Sequence, residues 1–439
     1  MKIVIISNLF PPFVRGGAEL VAAASAKALS ARGHEVTVIS TCPTKLGAKR
    51  YEVEEGEWEG LRVLRFFPAE LYYTLDDHKH KYSTRLLWHI QDAFNMYSAG
   101  VVRKLLKKIK PDCVITHNLK GIGLLIPGVI HELKIPHIHT LHDVQLIEPS
   151  GLITPKSNEC HPVGMFHPAA NMRHPEAEGS SIFVKIKNFF TGLPFVGYRF
   201  VTRWLFSSPA LVVSPTEWLL ELHRADGFFQ RSQALVLQNP VREVIKNQEI
   251  NKSINQRAVP KFVFVGQIEN HKGINELIDA WLEAEKNPDF IAELEVIGDG
   301  TLLSKISERV GLHERIRFHG RLPNEKVLRL LEGATALVFP SKCLENAPGA
   351  VLEALSLGVP VLATDVGGVP EFVRENQSGW LIPPGDTVAL SRMLRHVVDH
   401  PKEVAMLKAA LLGREKMTAE KYAEKLENPL SNLGFNKAK

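Results

Sequence analysis

Short runs of valine and isoleucine alternate with stretches of helical periodicity along both halves of the chain, and that alternation restricts the fold more than any other feature. Strands separated by helices build βαβ units and parallel sheets. In the first half the expected strands are residues 2–7, 35–40, 61–66, 113–117, 137–142 and 210–214; in the second they are 262–266, 294–298, 316–320, 336–340, 359–364 and 379–382. Each half therefore reads as a doubly wound, Rossmann-like α/β domain. The expected division is 1–240, with an irregular insertion at 144–209, then 241–400, then a helical tail at 401–439 expected to pack back on the N-terminal domain. The stretch VLQNPVRE, followed by the polar NQEINKSINQRAVP, supplies the linker. Two such domains facing each other would bring the carboxyl ends of both sheets to one cleft, where ligands of these folds bind.

Composition adds exclusions. Of the 439 residues 45% are apolar and 23% charged, which suits large buried cores and excludes a disordered or fibrous chain. Four widely spaced cysteines, Cys42, Cys113, Cys160 and Cys343, contain no C-x-x-C pair and argue against a disulfide framework or zinc ribbon. A reducing, cytoplasmic setting is the expectation. The N-terminal MKIVIISNLFPPF reads as a first strand rather than a signal peptide. No run reaches the roughly eighteen apolar residues that span a bilayer.

Net charge is only +5, but two segments concentrate the cations. In VVRKLLKKIK, 101–110, Val101, Leu105 and Ile109 recur at helical spacing among Arg103, Lys104, Lys107, Lys108 and Lys110. Residues 182–204 interleave aromatics with Lys185, Lys187, Arg199 and Arg203. Both suit peripheral attachment to an anionic membrane surface. Core helices with solvated faces explain the first equally well. No nucleic-acid motif accompanies the charge, so nucleic acid is not expected as a partner.

The chemistry concentrates near ENAPGAVLE, 345–353. With Pro348 at the first helical position, Glu345 lies in the loop ahead of the helix and Glu353 in its second turn. The N–H groups of Gly349, Ala350 and Val351 then form an anion site. Carboxylates on either side of a phosphate fit only if neutral hydroxyls engage them, which suggests a sugar, a phosphate and a ribose in one ligand: a nucleotide sugar. A helix N-terminus preceded by a favourable acid is the plainer explanation. Gly16-Gly17, before a helix, would let backbone approach an anion, although a plain turn satisfies the same residues and no G-x-G-x-x-G is present. His142, with Asp143, ends a strand and should point to the cleft, whereas His137 and His139 have the other parity and read as structural. Lys272, before Gly273 and a helix, can neutralise a diphosphate leaving group; a solvated loop lysine is the alternative. Cys160, His161, His167 and His174 lie in a proline-containing insertion, a poor preformed metal site, and no metal is expected.

Together these residues carry a resemblance. FPPFVRGGAE, His142 with Asp143, V-G-x-I-x-x-x-K-G ending at Lys272-Gly273, I-G-D-G at 297–300, F-H-G at 318–320, E-x7-E at Glu345 and Glu353, and TDVGGVPE at 364–371 resemble, in order, the family 4 retaining glycosyltransferases of the GT-B fold. The resemblance covers residues 1 to about 395. It implies a UDP- or GDP-sugar donor, a glycan or lipid-linked acceptor, retention of configuration, and no cofactor or bound metal. It places Glu353 on ribose hydroxyls, the backbone at His319 and Gly320 near the base, and Lys272 with the amides of Gly349, Ala350 and Val351 on the diphosphate. Gly16 and Gly17 would meet the phosphate from the other domain. Glu345 would hold donor-sugar hydroxyls beside the reacting carbon, with His142 on the acceptor side and Asn346 and Gln267 completing the donor surface.

One position departs. Many members carry Arg where this chain has Gln267, and a protonated His271 is the expected compensation. A nucleotide-sugar epimerase of the same fold, and a sugar-nucleotide-binding scaffold without chemistry, are the rival expectations. A nicotinamide-dependent oxidoreductase is disfavoured by the missing glycine fingerprint.

Overall fold

The computed structural model describes residues 1–44, 52–148, 197, 199–242 and 259–432. Two compact units emerge: one comprises 1–148, 199–240 and 419–432, the other 241–418. The second is entered at Val241 and left at Met417, where the Val241 N–H donates to the Met417 carbonyl at 2.9 Å.

The first unit holds β1 (Lys2–Ile6), β2 (Glu35–Thr41), β3 (Val53–Trp58), β4 (Leu61–Phe66), β5 (Cys113–Thr116), β6 (His137–Thr140), β7 (Leu211–Ser214) and β8 (Gln233–Val236). They form one sheet in the order β3-β4-β2-β1-β5-β6-β7-β8, parallel except for the β3–β4 pair. Ile3, Val4, Ile5 and Ile6 are all buried, because helices cover both faces and every side chain of a central parallel strand needs apolar company. The helix Ala419–Asn432 packs on the helix Gly17–Ala31, with Glu427 accepting from Arg32 at 2.7 and 2.8 Å and Tyr422 buried.

The second unit holds β9 (Lys261–Val265), β10 (Glu293–Ile297), β11 (Ile316–Gly320), β12 (Ala336–Phe339), β13 (Val361–Thr364) and β14 (Gly379–Ile382), all parallel, in the order β11-β10-β9-β12-β13-β14. Successive strand residues serve two cores. Phe262, Phe264, Leu294 and Val296 meet Leu277, Ile278 and Trp281 on one face, whereas Val263, Leu337 and Val361 meet Val327, Leu331, Val351 and Ala354 on the other. In each sheet the chain runs outward from the first strand and returns to its other side. The switch points thus lie between β1 and β5 and between β9 and β12, where open α/β sheets bind ligands.

The twelve expected strands are present, with ends shifted by a residue or two, and two edge strands, β3 and β8, are additional. In the helix Met96–Ile109 the buried ridge is Ser98, Ala99, Val102 and Leu106, not Val101, Leu105 and Ile109, which are half-buried. Packing against the helix Ile126–Glu132 and the rest of the first unit decides between the two ridges that the doublets Val101-Val102 and Leu105-Leu106 both permit. Pro348 is the N-cap and the helix begins at Gly349, one residue later than expected. Cys160, His161, His167, His174 and most of the aromatic segment at 182–204 lie outside the described residues. Of that segment, Arg199 and Arg203 both pair with Asp226.

Candidate active site

In the second unit, the loops after β9 and β12 meet at the switch point. A short 3-10 turn, Asn270–Lys272, brings Lys272 round, and Gly273 follows with φ of 74°. A Cβ on Gly273 would lie 1.8 Å from the Pro340 carbonyl oxygen, so only glycine lets this turn lie against the end of β12. Lys272 Nζ then reaches Glu345 Oε1 at 2.6 Å. The same oxygen accepts from Ser341 Oγ at 2.8 Å and Cys343 Sγ at 3.4 Å. One carboxylate oxygen is thereby saturated, and the other has no hydrogen-bond partner among the described residues. The Glu345 carbonyl accepts from the Gly368 N–H at 2.8 Å, and Gly367, with φ of 59°, passes so close that a Cβ there would lie 2.1 Å from that carbonyl. The TDVGG segment thus clamps the loop that aims Glu345.

Burial works against the charge on Lys272, but the Glu345 carboxylate outweighs it and holds the ammonium above its usual pKa. Burial and Glu345 together push the Cys343 thiol up to about 11, so it stays protonated and can donate. The helix Gly349–Ser356 starts beside this pair in sequence. Its first intrahelical bond is Leu352 N–H to the Pro348 carbonyl at 3.1 Å, leaving the N–H groups of Gly349, Ala350 and Val351 ahead of the ladder. Glu353, half-buried in the second turn, has its pKa raised by burial, with Arg242 opposing. Its carboxylate makes no hydrogen bond among the described residues. A desolvated acid with open acceptor positions suits hydroxyl donors.

At the edge strand β11, His319 Nε2 is bonded to Glu295, whose carboxylate also receives Arg317 at 3.1 Å. Gly320 gives its carbonyl to the Gly298 N–H at 2.9 Å. Asn346 follows Glu345 in the clamped loop. Gln267 is exposed in the loop after β9. Burial, then the adjacent Lys272 charge, lower the pKa of His271, so that without a bound anion the imidazole is neutral at pH 7 and adds no charge beside Gln267. Lys342, which the sequence reading missed, ties the turn down through Glu276 at 2.6 Å and Asn270 at 3.0 Å.

In the first unit, Gly16 caps the helix Gly17–Ala31 and its N–H donates to Glu19 Oε2 at 2.8 Å. That helix end already holds a carboxylate. His142 lies two residues past β6, half-buried, with Nε2 2.9 Å from His117 Nδ1 and the two rings stacked at 5.1 Å. Burial lowers His142 to about 4 and raises Asp143 to about 6. His117, Asn118, Lys120, His142, Asp143 and Gln145 line a pocket at the carboxyl ends of β5 and β6. His137 and His139 are buried and share Thr116 Oγ1 at 2.7 and 2.8 Å, a structural role. His117, Ser341, Cys343 and Lys120 were missed by the sequence reading. Their signal was position: each lies within four residues of the carboxyl end of β5 or β12, the strands that border the switch points.

Two parallel-sheet units, one with a lysine–carboxylate pair and a second acid on the following helix, define the architecture of GT-B glycosyltransferases, and the comparisons agree. Residues 15–243 match Glycosyltransferase Family 4 and residues 245–411 match Glycosyl transferases group 1. The chain belongs to Glycosyltransferase Family 4 and is a hexosyltransferase-type enzyme. A glycogen synthase of Mycobacterium tuberculosis is 23% identical over 441 residues, 96% of this chain and 91% of that protein. A 2-deoxystreptamine glucosyltransferase of Streptomyces kanamyceticus is 30% identical over 233 residues, 50% of this chain and 59% of its own. Among solved structures, sucrose-phosphate synthase from Thermosynechococcus elongatus superposes with a TM-score of 0.68 at 15% identity, covering 99% of both chains. Anabaena HepE in complex with UDP-glucose does so with 0.60 at 16% identity, over 98% of this chain and 100% of that one.

Proposed function

We propose that this enzyme transfers a hexose, with retention of configuration, from a nucleoside diphosphate sugar, UDP-linked in the first instance, to a glycan or lipid-linked acceptor in cell-surface polysaccharide synthesis. The observation that carries the reading is the Lys272–Glu345 pair at the switch point, with the open carboxylate of Glu353 on the helix that follows. Lys272 stays charged and donates to the leaving diphosphate as negative charge builds on it, and the helix N–H groups of Gly349, Ala350 and Val351 take further oxygens. Glu353 receives ribose hydroxyls. Glu345, its Oε1 fixed by three donors, offers the other oxygen to donor-sugar hydroxyls. His142, neutral at pH 7, accepts or donates a hydrogen bond on the acceptor side. No metal is needed to neutralise the diphosphate in this reading. The polysaccharide context is supported by the similarity to a protein named "Putative colanic acid biosynthesis glycosyltransferase WcaL" of Salmonella typhimurium, 26% identical over 194 residues, 42% of this chain and 47% of that protein.

The test is thermal unfolding with UDP, GDP, ADP and NAD in separate samples, each with and without chelator. A nucleotide at about 100 times its dissociation constant adds roughly 2.7 kcal/mol. A shift with one nucleoside diphosphate, unchanged by chelator, is the expected result; a shift with NAD alone, or with none, would overturn the proposal. The neutral Gln267 and His271 favour one rival, a binding scaffold. Wild-type turnover near zero that Gln267→Arg raises by orders of magnitude would establish it.

A further inference from the structure

Arg242, at the point where the chain enters the second unit, is a cation without a partner. It is half-buried, and its guanidinium makes no hydrogen bond or ion pair among the described residues. The backbone beside it is fixed. Val241, 8% exposed, gives its N–H to the Met417 carbonyl at 2.9 Å. The segment that leads to Met417 leaves the helix Pro401–Leu412 where Leu412 packs against Gly358, just past the helix Gly349–Ser356. Arg242 is thereby held near that helix, close enough to Glu353 for its charge to oppose the pull of burial on the carboxyl, yet without pairing with it. The Glu353 carboxylate makes no hydrogen bond among the described residues either. A donor fork and a carboxylate, neither of them engaged, stand together on the helix whose first N–H groups are also open.

The charges of the donor site indicate what Arg242 adds. Lys272 is matched by Glu345 and Lys342 by Glu276, both at 2.6 Å, burial lowers the pKa of His271, and Glu353 brings a further carboxylate. Without Arg242 these groups leave a negative balance for a ligand that is itself multiply negative, and helix N–H groups supply only partial charge. A guanidinium keeps its charge at any working pH and presents a planar fork that matches phosphate oxygens. A ribose held by Glu353 would carry its own phosphate past the neighbouring arginine. We propose that Arg242 binds the ribose-proximal phosphate of the nucleotide-sugar donor, leaving Lys272 to the distal phosphate that departs from the sugar. The inference rests on the donor reading given above and deepens it: an arginine brought in by the chain crossing takes the place of the one absent at Gln267.

The experiment is titration calorimetry of the full chain and of Arg242→Gln with uridine, UMP and UDP, and with the guanosine and adenosine series if the uridine series does not bind. Arg242→Gln should weaken the monophosphate and the diphosphate alike, by about tenfold or more, and leave the nucleoside unchanged. Arg242→Lys should retain more of the phosphate affinity than Arg242→Gln, and Arg242→Glu should lose more. The melting temperature without nucleotide should hold in Arg242→Gln, because the guanidinium has no bond within the protein to lose. Phosphorus-31 spectra of the bound diphosphate guard against a disturbed fold: between wild type and Arg242→Lys the α resonance should move and the β resonance should stay. Monophosphate and diphosphate affinities unchanged by Arg242→Gln, a nucleoside weakened as much as its diphosphate, or a shift confined to the β resonance would each overturn the inference while the donor reading stands. Wild type that binds none of the three series would overturn the donor reading, and this inference with it.

Discussion

Replacing Glu345 by glutamine keeps the shape of the side chain and removes its charge, leaving Lys272 with no counter-charge at 2.6 Å. An unpaired charge in a fully dry interior costs about 3–5 kcal/mol. Here 21% of the lysine side chain and 14% of the glutamate are exposed, so water relieves part of that and about 2 kcal/mol is expected. For a domain of this size the melting temperature should fall by roughly 5 °C. A diphosphate at Lys272 restores the missing anion. UDP should therefore bind Glu345→Gln more tightly than wild type, by about five- to thirtyfold for 1–2 kcal/mol of coupling, and should recover the lost melting temperature. Turnover should fall about 10²- to 10³-fold, because the proposed hold of Glu345 on the donor sugar would be weakened. Titration calorimetry with UDP, beside steady-state kinetics, separates these effects. UDP affinity equal to or weaker than wild type would refute the placing of Lys272 on the diphosphate, whatever happened to turnover.

Ser341→Ala removes the 2.8 Å donor to Glu345 Oε1 and should lower kcat about tenfold with KM for the donor nearly unchanged, while Ser341→Thr retains activity. Gly367→Ala places a Cβ 2.1 Å from the Glu345 carbonyl and forces a positive φ on alanine; urea midpoints should report a loss of about 3 kcal/mol, and activity should fall with it. Acid should weaken the N-terminal unit. Burial holds His89, His117, His137, His139, His142 and His223 neutral, so each takes up a proton on unfolding, and stability present above about pH 6.5 is lost as pH falls toward about 4. Asp143, Glu70 and Asp92, raised by burial, bind protons in the folded state and oppose this. A net uptake of about three protons gives on the order of 4 kcal/mol per pH unit, and urea midpoints that stay flat or rise from about pH 6 to 5 would contradict it.

Central strands were legible because both faces are buried: KIVIIS and FVFVG cannot avoid long apolar runs. The edge strands β3, VEEGEW, and β8, QALV, were not, since a strand paired on one side and partly solvated needs no such run. Within the site, Glu345, Lys272 and Glu353 stood out as charges beside glycine-rich turns. Ser341 and Cys343 did not, because a hydroxyl and a thiol four and two residues ahead of a glutamate have no pattern until the loop folds them onto one oxygen. The charge of His271 is of the same kind: Lys272 stands next to it in the sequence, but the burial that chiefly lowers its pKa is not visible in the letters around it.

The packing of Ala419–Asn432 on Gly17–Ala31 sets an order of events on the ribosome. The helix that must receive it emerges about 390 residues before its partner, a delay of roughly 20–80 s at ordinary synthesis rates. Once β8 has emerged the first sheet is complete but lacks this helix, and the second unit is made before Ala419 appears. The nascent N-terminal unit is sealed by the helix Ala419–Asn432 only after the second unit has been made, so a ribosome that stalls or a message that stops short before Tyr422 releases a protein with an open apolar flank that chaperones and proteases can recognise.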